Sequence, residues 1–223
     1  MHEISIESDI LASNEMCAQH NRQHFIEHGV YVLNLMSGPG AGKTTLLERT
    51  IDMMKDRFRI AVIEGDVQTH ADADRIAAHG VPAVQINTGG ACHLDARLIE
   101  NVMPRFDLDA LDLLIIENVG NLVCPAEFDL GEHDKVMLLS VTEGADKPLK
   151  YPVMFHVAKA LLLTKVDLLP YVDFDVQSAL RDARVLNLDL QVFQLSSRAQ
   201  TGFEAWCEWL EGRIKRVKSL VRA

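Results

Sequence analysis

Nine consecutive residues constrain this chain more than any others: Ser37-Gly38-Pro39-Gly40-Ala41-Gly42-Lys43-Thr44-Thr45, set directly after the apolar run Val30 to Met36 and before a helical pattern that begins near Thr44. Glycines 38, 40 and 42 permit a tight turn whose backbone N–H groups point at phosphate, and the following helix adds the positive end of its dipole. In such a loop Lys43 reaches the β- and γ-phosphates and Thr44 offers its hydroxyl to Mg²⁺. Ser37 stands where the motif usually has its first glycine, so that corner is not required to take positive φ. The loop works only between a strand and a helix, which fixes at least one strand-loop-helix unit with its ligand at the carboxyl end of the strand.

The pattern continues along the chain. Apolar runs at Ile60 to Ile63, Ala83 to Ile86, Leu113 to Ile116, Val136 to Val141, Ala160 to Leu163 and Leu190 to Phe193 alternate with polar or amphipathic segments. Short runs rich in Val, Ile and Leu, separated by helical crossovers, predict buried strands in a mainly parallel sheet covered on both faces. The fold class is therefore α/β, a three-layer sandwich of the P-loop NTPase kind. Ile10, Leu11, Met16, Ala18 and Phe25 in a Pro-free stretch predict a helix ending near Gly29. The expected organisation is an N-terminal helical extension over 1–29 and one P-loop domain over 30–223 that carries the metal site.

The 48% hydrophobic content suffices for one sizeable core without disulfides. A net charge of −10 argues against a nucleic-acid partner, because phosphate binding needs clustered Lys and Arg. No apolar run is long enough for a membrane helix, and the start MHEISIESD lacks a basic segment followed by an apolar one, so a cytoplasmic protein with no membrane association is expected. Four cysteines are too few for a secreted disulfide framework and read as buried thiols or metal ligands. The basic run Arg213, Lys215, Arg216, Lys218 and Arg222 is expected to complement the negative end of a terminal helix.

Two acids follow strands and can face the Mg²⁺ ion: Asp66, and Glu117 in Glu117-Asn118-Val119-Gly120. The latter resembles a GTPase switch segment, with the carboxylate addressing Mg²⁺ and the Gly120 N–H sensing the γ-phosphate; the usual residue at position 117 is Asp. Thr164-Lys165-Val166-Asp167 ends another strand and resembles the guanine-recognition signature. Asp167 can accept two N–H bonds from guanine, a donor pair that adenine lacks, so GTP is favoured over ATP. Lys165 would lie along the base, and Ser196-Ser197-Arg198 resembles the second base loop. Cys92-His93, set before a helical pattern that starts near Leu94, and Cys124 offer thiolate and imidazole, which suit Zn²⁺ or Ni²⁺, although by spacing alone two buried thiols and an unrelated histidine is the favoured reading. Only four positions separate Gly120 from Cys124, so a phosphate sensor runs straight into a possible ligand.

These segments, together with Val62-Ile63-Glu64-Gly65-Asp66-Val67-Gln68-Thr69, Asn87 to Asp95, Ile116 to Pro125 and Thr142 to Pro152, resemble the HypB family of hydrogenase nickel-incorporation GTPases. The resemblance implies a SIMIBI-like fold, a GTP-regulated homodimer, and Ni²⁺ or Zn²⁺ at Cys92, His93 and Cys124 on the subunit interface. It also implies a small HypA-type nickel chaperone and the hydrogenase large subunit precursor as partners. The CxxCGC motif and His-rich tract of some members are absent from this sequence. Cys17, His20, His24 and His28 share one helix face but read as a solvated surface, since nothing in that segment supplies outer partners for a metal ligand. Slow hydrolysis is expected, because no residue stands out to orient the attacking water. A urease-accessory-type nickel GTPase is the nearest alternative, although its Cys-Pro-His motif differs from Cys92-His93; a zinc-stabilised nucleotide-binding module without turnover is another, and a small-molecule kinase is disfavoured by Asp167.

Overall fold

The computed structural model describes residues 6–66 and 71–221. Val67, Gln68, Thr69 and Arg222, which figured in the sequence reading, lie outside the described residues. All seven apolar runs are strands. In chain order the first elements are α1 (Ile6–Glu27), β1 (Tyr31–Ser37), α2 (Lys43–Met54), β2 (Ile60–Asp66), α3 (Ala71–Ala77), β3 (Ala83–Asn87), α4 (Ala96–Val102) and β4 (Leu113–Glu117). They are followed by α5 (Cys124–Glu127), β5 (Asp134–Ser140), α6 (Lys147–Lys150), α7 (Pro152–Val157), β6 (Ala160–Thr164), α8 (Val176–Leu186), β7 (Gln191–Gln194) and α9 (Phe203–Val221).

The sheet order is β3-β2-β4-β1-β5-β6-β7, and every pairing is parallel. Each strand is reached by a crossover rather than a hairpin, which is what lets the sheet be parallel throughout rather than mainly so. Leu33, Leu35, Val62, Ile115 and Leu138 point to one face, under α2 and α9. On the other face Val32, Ile63 and Ile116 meet Phe25 of α1 and Ile99 of α4, while Met137, Leu139 and Leu161 pack beneath α7 and α8. The result is three layers with ligand loops gathered at the carboxyl ends of β1, β4 and β6.

Three local features differ from the sequence reading, each for a polar reason. Strand β5 starts at Asp134, two residues early, because the Asp134 carboxylate accepts the Tyr31 hydroxyl at 2.8 Å and the Arg213 guanidinium at 3.3 Å. Helix α4 starts at Ala96, not near Leu94, because the Asp95 side chain caps it by accepting the Leu98 N–H at 2.8 Å. The basic residues of α9 pair with the body of the domain as well as lying near the helix end: Lys218 meets the Asp112 carboxylate and Arg213 meets Asp134 at 3.2 Å, while Lys215 pairs within the helix with Glu211 at 2.5 Å. Helix α1 packs into the third layer. Its buried Asn21 donates to the Ala96 carbonyl at 2.8 Å and the Leu130 carbonyl at 3.0 Å, and Ala18 and Phe25 are fully buried.

Candidate nucleotide and metal site

Strand β1 ends at Ser37 and delivers the chain into the phosphate loop. Gly40 and Gly42 take φ of +75° and +95°, the region L side chains avoid, whereas position 37 is still extended strand, which is why serine is tolerated there. At Gly38 the room is limited instead by a side chain: a Cβ there would stand 2.7 Å from Glu143 Oε2, which would have to swing aside. Helix α2 begins at Lys43, so the loop amides and the helix N-terminus face the same point. Lys43 Nζ donates to Ser37 Oγ at 3.2 Å and lies 3.9 Å from Glu117 Oε1. Thr44 Oγ1 donates to the same Glu117 oxygen at 3.2 Å. The structure thus gathers Lys43, Thr44 and Glu117 as the sequence reading expected.

It adds a residue that reading had passed over. Glu64 and Glu117 are cross-strand neighbours in the β2–β4 register, 2% and 4% exposed, and their carboxyl groups are hydrogen-bonded. Burial, then the hydrogen bond to Glu117, raises the Glu64 pKa far above its ordinary value. Burial raises that of Glu117 too, against the opposing pull of Glu64, Lys43 and Thr44. The two carboxyl groups therefore hold a proton between them. Asp66 sits two residues on, half-buried at the end of β2, where its carbonyl accepts the Thr88 N–H at 3.0 Å. The available signal for Glu64 was a second acid in Glu64-Gly65-Asp66 at the end of an apolar strand. Glu64 Oε1 and Glu117 Oε2 are buried without a nitrogen or hydroxyl donor, beside the Thr44 hydroxyl. That hard-oxygen set fits Mg²⁺.

The shared proton has a measurable consequence. Its folded-state pKa is raised above the ordinary 4.5, so its contribution to stability is intact below about pH 4.5 and declines as pH rises from there. Glu64→Gln keeps a donor for Glu117 and removes the titration. The stability gain of the variant in nucleotide-free urea unfolding is expected to be small near pH 4.5 and to grow by up to about 1.4 kcal/mol per pH unit towards neutrality. A difference that does not change with pH would contradict the shared proton.

The base loops converge on the opposite side of the phosphate loop. Lys165, in the left-handed region at φ 59°, donates its Nζ to the Gly40 carbonyl at 2.7 Å, and Thr164 Oγ1 donates to the Ala41 carbonyl at 2.8 Å. Ser196 Oγ donates to Asp167 Oδ1 at 2.5 Å, tying the two base loops together. Gly42, Thr45, Lys165, Asp167, Ser197 and Arg198 line one cavity of about 240 Å³, so the residues expected to read the base share a single hollow.

Cys92, His93 and Cys124 also come together, with their ligand atoms all within 4.8 Å of one another. The Cys92 and Cys124 sulfurs are 2.9 Å apart, and Cys92 Sγ is 3.5 Å from His93 Nδ1. His93 stacks on Phe128 at a centroid distance of 3.8 Å, which fixes its ring, and burial lowers its pKa and keeps the imidazole neutral for binding. The Cys124 thiol is held protonated by its bond to Cys92 and by burial, a proton that a soft cation would displace. Among the described residues this is the one group of three or more His, Cys, Asp or Glu side chains close enough to share an ion.

Backbone connects the two sites. A Cβ on Gly120 would come within 3.0 Å of Pro39 Cα, so this segment lies directly against the phosphate loop. Asn121, the next residue, approaches Cys124 Sγ with its Nδ2 at 3.8 Å. Asn118, buried, accepts the Leu94 N–H at 3.1 Å and the Val119 N–H at 2.9 Å while donating to Asn34 at 3.2 Å. One side chain thereby joins the Cys92-His93 loop, the segment leading to Gly120, and strand β1.

Known proteins resemble this chain in sequence and in fold. Residues 31–194 match the CobW/HypB/UreG nucleotide-binding domain. The hydrogenase maturation factor HypB of Azotobacter vinelandii is 55% identical over 208 residues, covering 93% of this chain and 69% of that one. The crystal structure of HypB from Helicobacter pylori in complex with nickel superposes with a TM-score of 0.86 at 41% identity, covering 92% of this chain and 96% of that one. HypB from Archaeoglobus fulgidus gives 0.86 at 40% identity over 91% of this chain and 99% of that one.

Proposed function

The chain belongs to the CobW/HypB/UreG family and within it to the HypB hydrogenase maturation factors, and from that premise we propose that it is a GTP-hydrolysing metallochaperone that delivers nickel to the hydrogenase large subunit precursor. The observation that carries the reading is the short path from the phosphate loop to the thiols: Gly120 lies against Pro39, and Asn121 reaches Cys124. A γ-phosphate that draws the Gly120 N–H moves the same stretch of backbone that holds a metal ligand, which is linkage between two sites.

In this mechanism the loop amides and Lys43 bind the phosphates, and Asp167 selects guanine. Thr44, Asp66 and Glu117, with Glu64 paired to Glu117, would hold Mg²⁺, which would supply positive charge to the transferring phosphoryl group. Lys43 neutralises charge that develops on the leaving phosphate oxygens. Nickel is cargo. Three side-chain ligands are fewer than a closed four-ligand site uses, and they are only half-buried, which supports completion by a second copy of the chain in a GTP-tightened dimer. A HypA-type chaperone as donor and a cytoplasmic location complete the proposal. Among the described residues no helix is long and apolar enough to cross a membrane.

The test is nickel affinity of the purified chain loaded with GDP or with a nonhydrolysable GTP analogue. A difference of about 5- to 150-fold is expected for a coupling of ordinary strength. Equal affinities would remove the link between nucleotide and metal, and an absence of phosphate release from GTP and Mg²⁺ would favour a zinc-stabilised module without turnover.

A further inference from the structure

The face of α1 that reads as solvated in sequence acquires partners in the fold. His20 and His24 stand one turn apart on α1, His28 follows directly after its last residue, and all three line a groove of about 380 Å³ that Glu100 of α4, Asp107 and Asp109 also line. His20 Nδ1 is 2.9 Å from Glu100 Oε1, and His28 Nδ1 is 2.7 Å from Asp109 Oδ1. A carboxylate on Nδ1 sets the imidazole tautomer with its proton on that nitrogen, leaving Nε2 with a lone pair; it is the arrangement that orients metal-bound histidines. This is the outer layer that α1 by itself lacks, and it comes from residues 80 and 81 positions away in the chain.

From this geometry we propose that α1 carries a second site for a divalent transition ion of the nickel and zinc class, with His20 and His24 as its protein ligands and Glu100 orienting His20. The two rings stand edge to face with centroids 4.7 Å apart. Two imidazoles bound to one ion through bonds of about 2.0–2.1 Å place their centroids about 4.5–5.2 Å apart at ordinary ligand angles. His24 and His28 are wider, at 6.2 Å, and nearly parallel, so His28 flanks the site. Water completes the coordination, since the groove is open. Three carboxylates around the groove favour a cation over any anion. The site shares no residue with Cys92, His93 and Cys124 and does not depend on the function proposed for them.

The experiment is a nickel titration of the full chain in which Cys92 and Cys124 are both replaced by alanine, read by equilibrium dialysis and by absorption. One Ni²⁺ per chain is expected to remain, without a thiolate charge-transfer band. Adding His20→Ala and His24→Ala should abolish it, and adding Glu100→Gln instead should weaken it at least about tenfold with unchanged melting. The proposal is overturned if the double cysteine variant binds no ion, or if its ion survives loss of both histidines. Unchanged affinity in Glu100→Gln overturns the orienting role of that carboxylate. All of these outcomes are separate from the wild-type comparison that tests the Cys92 site.

Discussion

Replacing Lys43 by alanine is expected to lower the proposed GTP turnover at least about a thousandfold, a loss of about 4 kcal/mol of transition-state stabilisation. The size follows from where the ammonium sits. Its side chain is 10% exposed, 3.2 Å from Ser37 Oγ and 3.9 Å from Glu117 Oε1, so its charge acts through little intervening water on whatever anion the loop holds. Preorganised donors in such settings are worth about a hundred- to a thousandfold each, and cationic groups on a transferring phosphoryl reach beyond that. The fold should tolerate the change, because Glu117 can take up a proton when its cation leaves. The measurement is phosphate release at saturating GTP and Mg²⁺, with melting temperature as the control. A variant that keeps more than a tenth of the wild-type rate would show that Lys43 does not face the reacting phosphate.

Replacing Cys124 by serine is expected to weaken the proposed thiolate metal site severely. Four-ligand zinc sites are worth about 10–16 kcal/mol in apparent binding free energy, so one ligand in such a set corresponds to about 3 kcal/mol, or at least a hundredfold in affinity. A site that begins with three protein ligands has less to spare, and about a thousandfold is expected here. The readouts are nickel and zinc affinity in nucleotide-free protein and disappearance of the thiolate charge-transfer absorption. Serine preserves size, and the Cys124 side chain is only half-buried, so stability should change little. Thiolate absorption that persists at wild-type affinity would move the site elsewhere.

Much of the molecule was legible along the chain because its signals are local. A strand such as Leu113–Glu117 announces itself by a buried run, and the loop from Ser37 to Thr45 needs only its own strand and helix to form. The three thiolate-site ligands were nameable by resemblance, but their meeting within 4.8 Å depends on β3 and β4 both flanking β2, which no local pattern encodes. Missed altogether were the contacts between residues remote in sequence. Glu64 reads as part of a strand-end motif until the β2–β4 register sets it beside Glu117. Asn118 reads as a spacer until its amide is seen bridging Leu94 and Asn34.

The sequence by itself determined the phosphate loop, the identity of the strands and the α/β class, because each rests on contiguous residues whose φ preferences or hydrophobic period act over a few positions. Only the tertiary structure decided the strand order, the proton shared by Glu64 and Glu117, the Asn118 bridge and the carboxylates that face the α1 histidines. Those arise when crossovers bring segments 24 to more than 80 residues apart into contact, and pairing at such range is set by how whole layers pack, not by the preferences of any one stretch of chain.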